Sequence, residues 1–240
     1  FPNGTSLMVA GLDHWFKADA GTVLDLDEFR VEEWRLQLRL GVRELRLPPD
    51  HRRPRRGSDG IDPNIGMRIP AVRFPEVHVC PRCNTLMTVP ATERGRQICP
   101  VCERDGRRVG VTQTQFVAMC DRGHVQDLPF REWVHRDVSP VCRAPIRLFG
   151  SSGSSLVSVI VECECGARRN LSGITESVDD ERTVLSHRLA AGERGDELLC
   201  RGARPWLGRR ADEGCDRPLR AGLRSGTNTY FAKVITSVYV

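Results

Sequence analysis

The stretch CPRCNTLMTVPATERGRQICPVC, from Cys80 to Cys102, contains two cysteine pairs and decides how this part of the chain folds. Its spacing is CxxC-x15-CxxC, with Cys83 and Cys99 as the inner cysteines. Two residues between the cysteines of a pair let both thiolates point at one ion from a tight turn, and the 15 residues between the pairs suit a small hairpin. Four soft thiolates favour Zn²⁺, with an iron centre as the lesser alternative.

A segment of this length cannot bury enough apolar area to fold alone. A structural zinc, which contributes on the order of 10–16 kcal/mol in small zinc modules, would replace the missing core. The sequence therefore predicts a zinc ribbon. Because cysteine fills all four positions and leaves none for water, we expect this site to be structural and not catalytic.

A second, looser set of cysteines follows in the segments VECECGA, LLCRGARPW and DEGCDRP, with the spacing CxC-x34-C-x14-C. Its members are Cys163, Cys165, Cys200 and Cys215. A CxC step brings both thiolates to one point only if the backbone turns, which Gly166 allows. We expect these four cysteines to form a second zinc site, so that the chain holds two ions. Buried or otherwise paired thiols are the alternative.

The stretch FVAMCDRGHVQDLPFREWVHRD, residues 116–137, has three interpretations. A third metal site would use Cys120, His124, His135 and Cys142. A catalytic site would use His124, Asp127 and His135, with a histidine as general base. The third interpretation, which the spacing favours, is a packed turn in which Phe130, Trp133 and Val134 lie in the core and the histidines are hydrogen-bonded. Phosphate-binding GxxxxGK[ST], GxSxG and HExxH motifs are absent from the sequence.

The basic residues of this chain are almost all arginine. Of its 36 basic residues only Lys17 and Lys233 are lysine, and the net charge is +5. The guanidinium group binds phosphate oxygens in pairs, so the cluster HRRPRR is the candidate DNA-binding segment. Its candidate residues are Arg52, Arg53, Arg55 and Arg56. A solvated charged surface is the favoured explanation of the same cluster, so the charge permits nucleic-acid binding without demonstrating it.

Cysteine usage and hydropathy indicate a compartment. Ten cysteines, several of them in short-spaced pairs of metal-ligand type, with no visible signal peptide, favour a reducing cytoplasm over a disulfide-bonded secreted protein. The longest apolar stretch, LVSVIV, is far shorter than the roughly 20 residues that span a bilayer. We therefore expect a cytoplasmic protein with no membrane partner.

The chain is predicted to be of the α+β class and to consist of β-rich, zinc-stabilised modules. We expect an N-terminal α+β segment at 1–47, an Arg/Pro-rich linker or loop at 48–64, the ribbon at 65–112 and a second zinc module at 113–240. In the first segment, DLDEFRVEEWRLQLRLG predicts a helix capped by Asp25 and ended by Gly41. Val31, Trp34 and Leu38 would form its buried apolar stripe. Those bounds also place the two cysteine sets in different modules.

Several segments, in order, resemble those of the DrmB family. They are GVRELRLPPD, AVRFPEVHVCPRC, FVAMCDRGHVQDLPFREWVH, CECGARRNLSG, CRGARPWLG, CDRPLRAGLRSGTNTYF and SVYV. DrmB is an accessory subunit of the DISARM phage-defence system, and its C-terminal part is similar to the helicase-associated zinc-binding domain of MrfA-type helicases. The resemblance implies that this chain is part of a longer protein, and that residues 113–240 include the start of that domain.

The resemblance also implies roles for particular residues. The two cysteine sets correspond to the zinc ligands, and a GH-D-P-W-H signature falls on Gly123, His124, Asp127, Pro129 and His135. Phe130 stands where the family commonly has tryptophan. The segment SGTNTYF, Ser225–Phe231, differs from the Ala-Ser-Asn-Tyr-Phe type of sequence that is usual in the family.

The function expected is that of a non-enzymatic zinc-binding subunit that binds a DrmA-like helicase and supports DNA binding. The alternatives are a metal-dependent nuclease that uses His124, Asp127 and His135, and a zinc-ribbon protein that recognises a DNA sequence.

Overall fold

A computed structural model describes residues 5–17, 23–53, 63–150, 156–180, 182–190, 197–208, 214–226 and 234–236. The chain divides into two compact units. The larger unit comprises residues 1–8 and 72–231, and the smaller unit comprises residues 9–71 and 232–240. The division into four segments that ends at residues 47, 64 and 112 stays a prediction.

Short strands dominate the described residues. The strands are β1 Leu7–Val9, β2 Arg30–Val31, β3 Leu45–Arg46, β4 Ala71–Arg73, β5 Val77–Val79, β6 Leu86–Thr88, β7 Thr112–Gln113, β8 Phe116–Met119, β9 Val125–Asp127, β10 Ile146–Phe149, β11 Ile160–Cys163, β12 Arg168–Asn170 and β13 Arg220–Leu223. The helices are α1 Trp34–Leu40, α2 Pro100–Arg104, α3 Phe130–His135 and α4 Val184–Ala190. Single 3-10 turns occur at Leu12–His14, Asp27–Phe29, Leu156–Ser158 and Pro205–Leu207. A strand-rich fold with few helices confirms that part of the predicted class.

The smaller unit is built around an antiparallel pair, β2 and β3, with α1 between them in the chain. The predicted helix is shorter than expected and begins only at Trp34, because the preceding residues form a 3-10 turn and β2. The side chain of Glu33, and not that of Asp25, caps it by accepting the N–H of Arg35 at 3.2 Å. Gly41 ends it with φ of 65°, as predicted.

Asn64 connects distant parts of the smaller unit by hydrogen bonds to residues far away in the sequence. It is fully buried and its backbone is left-handed, with φ of 62°. Its Oδ1 accepts the N–H of Asp25 at 2.9 Å, and its Nδ2 donates to the carbonyl of Asp25 at 2.7 Å and to Glu28 at 2.9 Å. These bonds give every polar group of the buried amide a partner, which a buried side chain requires.

The larger unit contains three antiparallel sheets of three strands each, with the orders β6-β5-β7, β13-β8-β9 and β10-β11-β12. A hairpin turn joins β8 to β9, with Val117 opposite Asp127 and Met119 opposite Val125. The segments that enter and leave these strands carry all ten cysteines. The sheets therefore bring together ligands from distant parts of the chain.

The core of the larger unit is centred on Trp133, which is fully buried in α3. Its indole Nε1 donates to the carbonyl of Asn170 at 3.0 Å, and the Arg169 guanidinium lies 3.4 Å from the ring centroid. The same guanidinium donates to the carbonyl of Trp133 at 2.9 Å. Burial lowers the pKa of Arg169 to about 10. These contacts attach α3 to β12 and set the position of His135, the last residue of the helix.

Candidate metal centres

The first cluster contains Cys80, Cys83, Cys99 and Cys102, which are the four cysteines of the quoted stretch. Cys80 follows β5, and the turn to Cys83 continues through Asn84 in the left-handed region, with φ of 60°. Cys99 is the N-cap residue of α2, and Pro100 occupies the first helical position. Cys102 lies in the first turn of the helix, in the same cluster as Cys99. The Sγ atoms of Cys80 and Cys102 lie 3.7 Å apart, and those of Cys83 and Cys99 lie 3.5 Å apart.

The second cluster contains Cys120, His124, Cys200 and Cys215, and all four side chains are buried. Cys120 and His124 lie on the hairpin turn between β8 and β9, where Gly123 adopts φ of 82° and its N–H donates to the carbonyl of Cys120. The Cys120 Sγ lies 3.4 Å from the His124 Nδ1. A hydrogen bond of 2.8 Å from the Cys200 N–H to the carbonyl of Arg217 joins the other two segments.

The third cluster contains His135, Cys142, Cys163 and Cys165. Gly166, with φ of 97°, turns the chain after β11, and the Cys163 N–H donates to the carbonyl of Ala167 at 2.8 Å. The predicted turn at Gly166 is thereby confirmed. The Sγ atoms of Cys142 and Cys163 lie 3.7 Å apart, and the Cys165 Sγ lies 3.4 Å from the His135 Nε2.

His135 is oriented by the helix that carries it. Its Nδ1 lies 2.8 Å from the carbonyl oxygen of Arg131, which can only accept a hydrogen bond, so Nδ1 carries the proton. The unprotonated Nε2 then faces the thiols. A histidine that donates its other ring N–H to a carbonyl is the usual arrangement of a metal ligand.

The distances between ligand atoms match those of a tetrahedral zinc site. Zn–S bonds of about 2.3 Å and Zn–N bonds of about 2.0–2.1 Å place neighbouring sulfurs about 3.8 Å apart and a sulfur about 3.6 Å from a nitrogen. The observed sulfur pairs lie 3.5–3.7 Å apart and the sulfur–nitrogen pairs lie 3.4 Å apart. All cysteines are free. Sulfur and imidazole donors at these distances could hold metal ions, and they fit zinc.

Individual thiols of the clusters differ in their pKa. Burial, with the neighbouring thiols of each cluster, raises the pKa of Cys102 and of Cys200 to about 12 and that of Cys163 to about 11. Burial also opposes ionisation of Cys83, but hydrogen bonding with the side chain and backbone of Thr85 lowers its pKa to about 6. A metal ion that binds here must displace the thiol protons.

The second and third clusters divide the ligands differently from the sequence-based prediction. The expected set of Cys163, Cys165, Cys200 and Cys215 is split, with the first two in the third cluster and the last two in the second. The alternative set of Cys120, His124, His135 and Cys142 is split in the same way.

The physical reason for the difference lies in the chain path. Each ion would join two short-spaced pairs, and the partner of a pair depends on which strands lie beside it. The sequence contains a signal for the observed grouping. Cys120 and His124 are close in sequence, as are Cys163 and Cys165, so each two residues form a short-spaced pair like those of the first cluster.

The packed-turn interpretation of residues 116–137 agrees with the turn at Gly123, the buried side chains and the hydrogen bond of His135 to Arg131, but it does not include the thiols beside the histidines. Phe130, Trp133 and Val134 are buried, as that interpretation requires. His124 and His135, however, face thiols in two separate clusters.

The catalytic grouping of His124, Asp127 and His135 is not brought together within the described residues. Asp127 lies on β9 with its Oδ1 accepting the N–H of Val77 at 2.9 Å, which ties β9 to β5.

The candidate DNA-binding arginines lie in the smaller unit. Arg52 is already engaged: it pairs with Glu28 at 2.7 Å and with Asp50 at 3.0 Å, and its guanidinium lies 5.8 Å from the ring centroid of Phe29. Arg53 is exposed. Arg55 and Arg56 lie outside the described residues. DNA contact by this segment stays a prediction.

The fold and these clusters define a class of strand-rich proteins in which several Cys/His clusters could hold metal. The chain belongs to the family described as a domain of unknown function, DUF8724, which it matches over residues 1–231. It is similar to a protein named DISARM protein DrmB from Bacillus paralicheniformis, with 26% identity over 183 residues, which are 72% of this chain and 28% of that protein. The resemblance to DrmB is thereby confirmed. The chain spans 28% of the length of that relative.

None of the helices in the described residues is both long enough and apolar enough to cross a membrane.

Proposed function

We propose that this chain is a non-enzymatic, zinc-binding subunit of a bacterial anti-phage defence complex of the DISARM type. In that complex it binds a DrmA-like helicase and supports DNA binding. The single observation that carries the proposal is the set of three four-ligand Cys/His clusters in a chain similar to DISARM protein DrmB. Four protein ligands complete a tetrahedral zinc site and leave no position for a reacting water, so the metal has a structural task.

Zinc at these clusters would join segments that the small core cannot hold alone. The first cluster would make residues 80–112 a zinc ribbon. The second would hold the turn at Cys120 and His124 to the segments of Cys200 and Cys215, and the third would hold α3 to the end of β11. On this proposal the chain binds three zinc ions and not the two expected from the sequence.

The partner part of the proposal is supported by an exposed apolar pair on α1. Trp34 and Leu38 lie one helical turn apart, and their exposed fractions are 70% and 78%. Exposed tryptophan is typical of the residues that dominate the binding energy of protein interfaces. We propose that this pair contacts the helicase.

Copurification tests this proposal. A tagged, zinc-loaded chain, extended to the full protein if the gene encodes more, is co-expressed with the helicase encoded beside it. We expect the helicase to copurify, and we expect capture to fall by about tenfold or more for Trp34→Ala combined with Leu38→Ala. Val157→Ala, which truncates an apolar residue of the larger unit that is 61% exposed, is the control and should leave capture unchanged.

Two results would contradict the proposal. One is a folded, zinc-loaded chain that captures no helicase and whose affinity for DNA shows no decrease with added salt. The other is DNA cleavage by the purified chain that is lost when His124 and His135 are replaced in a variant that still folds, because a structural subunit has no such activity.

A further inference from the structure

The segment around the first cluster carries a group of exposed arginines. Six arginines lie between Cys80 and Thr112, and all are exposed. They are Arg82, Arg94, Arg96, Arg104, Arg107 and Arg108. The same segment contains only three acidic residues, Glu93, Glu103 and Asp105.

These arginines differ from other surface arginines of the larger unit in their partners. Arg122 pairs with Asp216 at 3.1 Å, Arg168 with Glu162 at 3.7 Å and Arg182 with Asp179 at 2.6 Å. Among the described residues, by contrast, none of the six arginines of the 80–112 segment forms an ion pair or donates a side-chain hydrogen bond. Their guanidinium groups are therefore available to an external anion.

The fold holds the arginine-bearing turns next to one another. Arg82 lies on the turn between Cys80 and Cys83, and the short sulfur–sulfur distances of the first cluster bring that turn against α2, which ends at Arg104. The N–H of Arg107 donates to the carbonyl of Cys102 at 2.9 Å, which places the segment of Arg107 and Arg108 beside the same cluster.

Arg94 and Arg96 lie just before residues 97–99, which pair with residues 109–111. The N–H of Cys99 donates to the carbonyl of Val109 at 2.8 Å, and that of Val111 donates to the carbonyl of Gln97 at 3.0 Å. Arg96 lies over Gly110, where a Cβ atom would collide with its guanidinium. The glycine thus provides the space that this guanidinium occupies.

The composition of the segment specifies the kind of anion. Residues 80–112 contain no Phe, Tyr, Trp, His or Lys. Proteins that bind single strands stack bases on aromatic side chains, so a segment without aromatic residues is poorly suited to that ligand. Guanidinium groups instead match phosphate oxygens, and duplex DNA presents about one phosphate charge per 1.7 Å of its axis.

We infer that the arginines of the 80–112 segment bind the phosphate backbone of duplex DNA without reading its sequence. The inference rests on the proposed DNA-binding function and moves its site from the Arg52–Arg56 cluster, where Arg52 is engaged internally, to the first metal cluster. The cluster positions the arginines and takes no part in the contact.

The test compares two triple variants that remove equal charge. One is Arg104→Ala, Arg107→Ala and Arg108→Ala, and the control is Arg122→Ala, Arg168→Ala and Arg182→Ala. The dissociation constant of the zinc-loaded chain for a duplex of about 20 base pairs is measured at several salt concentrations, with zinc content and circular dichroism as checks of folding. A single strand of the same length and a second duplex sequence are measured beside it.

We expect the first variant to reduce the slope of log affinity against log salt by about 2.7, which is about 0.9 for each lost phosphate contact. Near 0.1 M salt this corresponds to an affinity loss on the order of 10²-fold. The control should keep most of the wild-type slope, and both duplex sequences should bind equally.

Equal losses in the two variants would show that only overall charge matters and would overturn the inference. Tighter binding of the single strand, or an unchanged slope in the first variant, would overturn it as well while the proposed function stands. If the wild-type chain, alone and with its helicase, binds no DNA at any salt concentration, the DNA-binding part of the proposed function fails instead.

Discussion

The ligand pairs of the second and third clusters illustrate how little a single residue reveals about its metal partner. Cys163 is the last residue of β11 and Cys165 lies on the turn that follows, and their partners are His135 and Cys142. Cys215 lies in another segment that faces His124. Because a tetrahedral site needs four ligand atoms, the loss of one ligand should cost the ion of that cluster and leave the others.

Counting zinc in cysteine variants tests this grouping. We expect the wild-type chain to contain about three zinc ions, and Cys163→Ser or Cys215→Ser to contain about two each. The double variant of both residues should contain about one, because the two cysteines serve different clusters. Elemental analysis of folded, gel-filtered protein gives the count.

The matched control is the double variant of Cys163→Ser and Cys165→Ser, which removes two ligands of one cluster and should retain about two ions. If the Cys163 and Cys215 double variant also retains two ions, the two cysteines share one site and the grouping is wrong.

Helix α1 shows what local periodicity can and cannot determine. Val31, Trp34 and Leu38 have helical spacing, which predicted a buried stripe. That prediction is wrong because Val31 belongs to β2, so the helix is seven residues long and turns Trp34 and Leu38 toward solvent. The residue that fills the core here is Phe29, which lies in the 3-10 turn and is 4% exposed.

Truncation of these side chains should separate their roles. We expect Phe29→Ala to destabilise the smaller unit by about 3–5 kcal/mol, because it removes a buried ring that packs against Phe16 with a centroid distance of 5.7 Å. Trp34→Ala and Leu38→Ala should each change the free energy of unfolding by less than about 0.5 kcal/mol. Hydrogen exchange at increasing urea concentration, read on peptides from residues 23–53, measures both.

A loss of stability in Trp34→Ala as large as that in Phe29→Ala would mean that the tryptophan is buried in the chain itself. It could then not serve as the contact for a partner.

The whole molecule separates into a unit that contains every cysteine and a unit that contains none. The cysteines lie between residues 80 and 215 in the larger unit, and residues 9–71 and 232–240 have no cysteine. The larger unit has three sheets of three short strands, and cysteines of all three clusters are among its most buried residues. On the proposed function, a core of this kind would depend on bound metal in a way that the smaller unit would not.

Removal of metal should therefore affect the two units differently. After chelation at neutral pH we expect peptides from residues 72–150 to lose most of their protection from hydrogen exchange, since the free energy of metal binding is a large part of the folding free energy in small zinc modules. Peptides from residues 23–53 should keep theirs. Hydrogen exchange with mass spectrometry measures both on one sample.

Protection that survives chelation in both units would show that the apolar core of the larger unit is sufficient, and would contradict a structural role for the metal. Zinc added back at equal molarity to the clusters serves as the control and should restore protection.

The sequence by itself determined the first cluster, the abundance of strands and the resemblance to DrmB. All four ligands of that cluster lie within residues 80–102, so spacing along the chain is a good guide to proximity in space. The turn at Gly166 and the end of α1 at Gly41 could also be predicted from the sequence, because glycine adopts a left-handed backbone conformation without steric cost.

Only the tertiary structure decided which ligands share the other two clusters. Cys120 meets Cys200 and Cys215, and His135 meets Cys163 and Cys165, because the β13-β8-β9 and β10-β11-β12 sheets and α3 set these segments side by side. The entropic cost of bringing ligands together grows only slowly with their separation in sequence, so the same cysteines and histidines allow several groupings. The pairing of strands selects one of them.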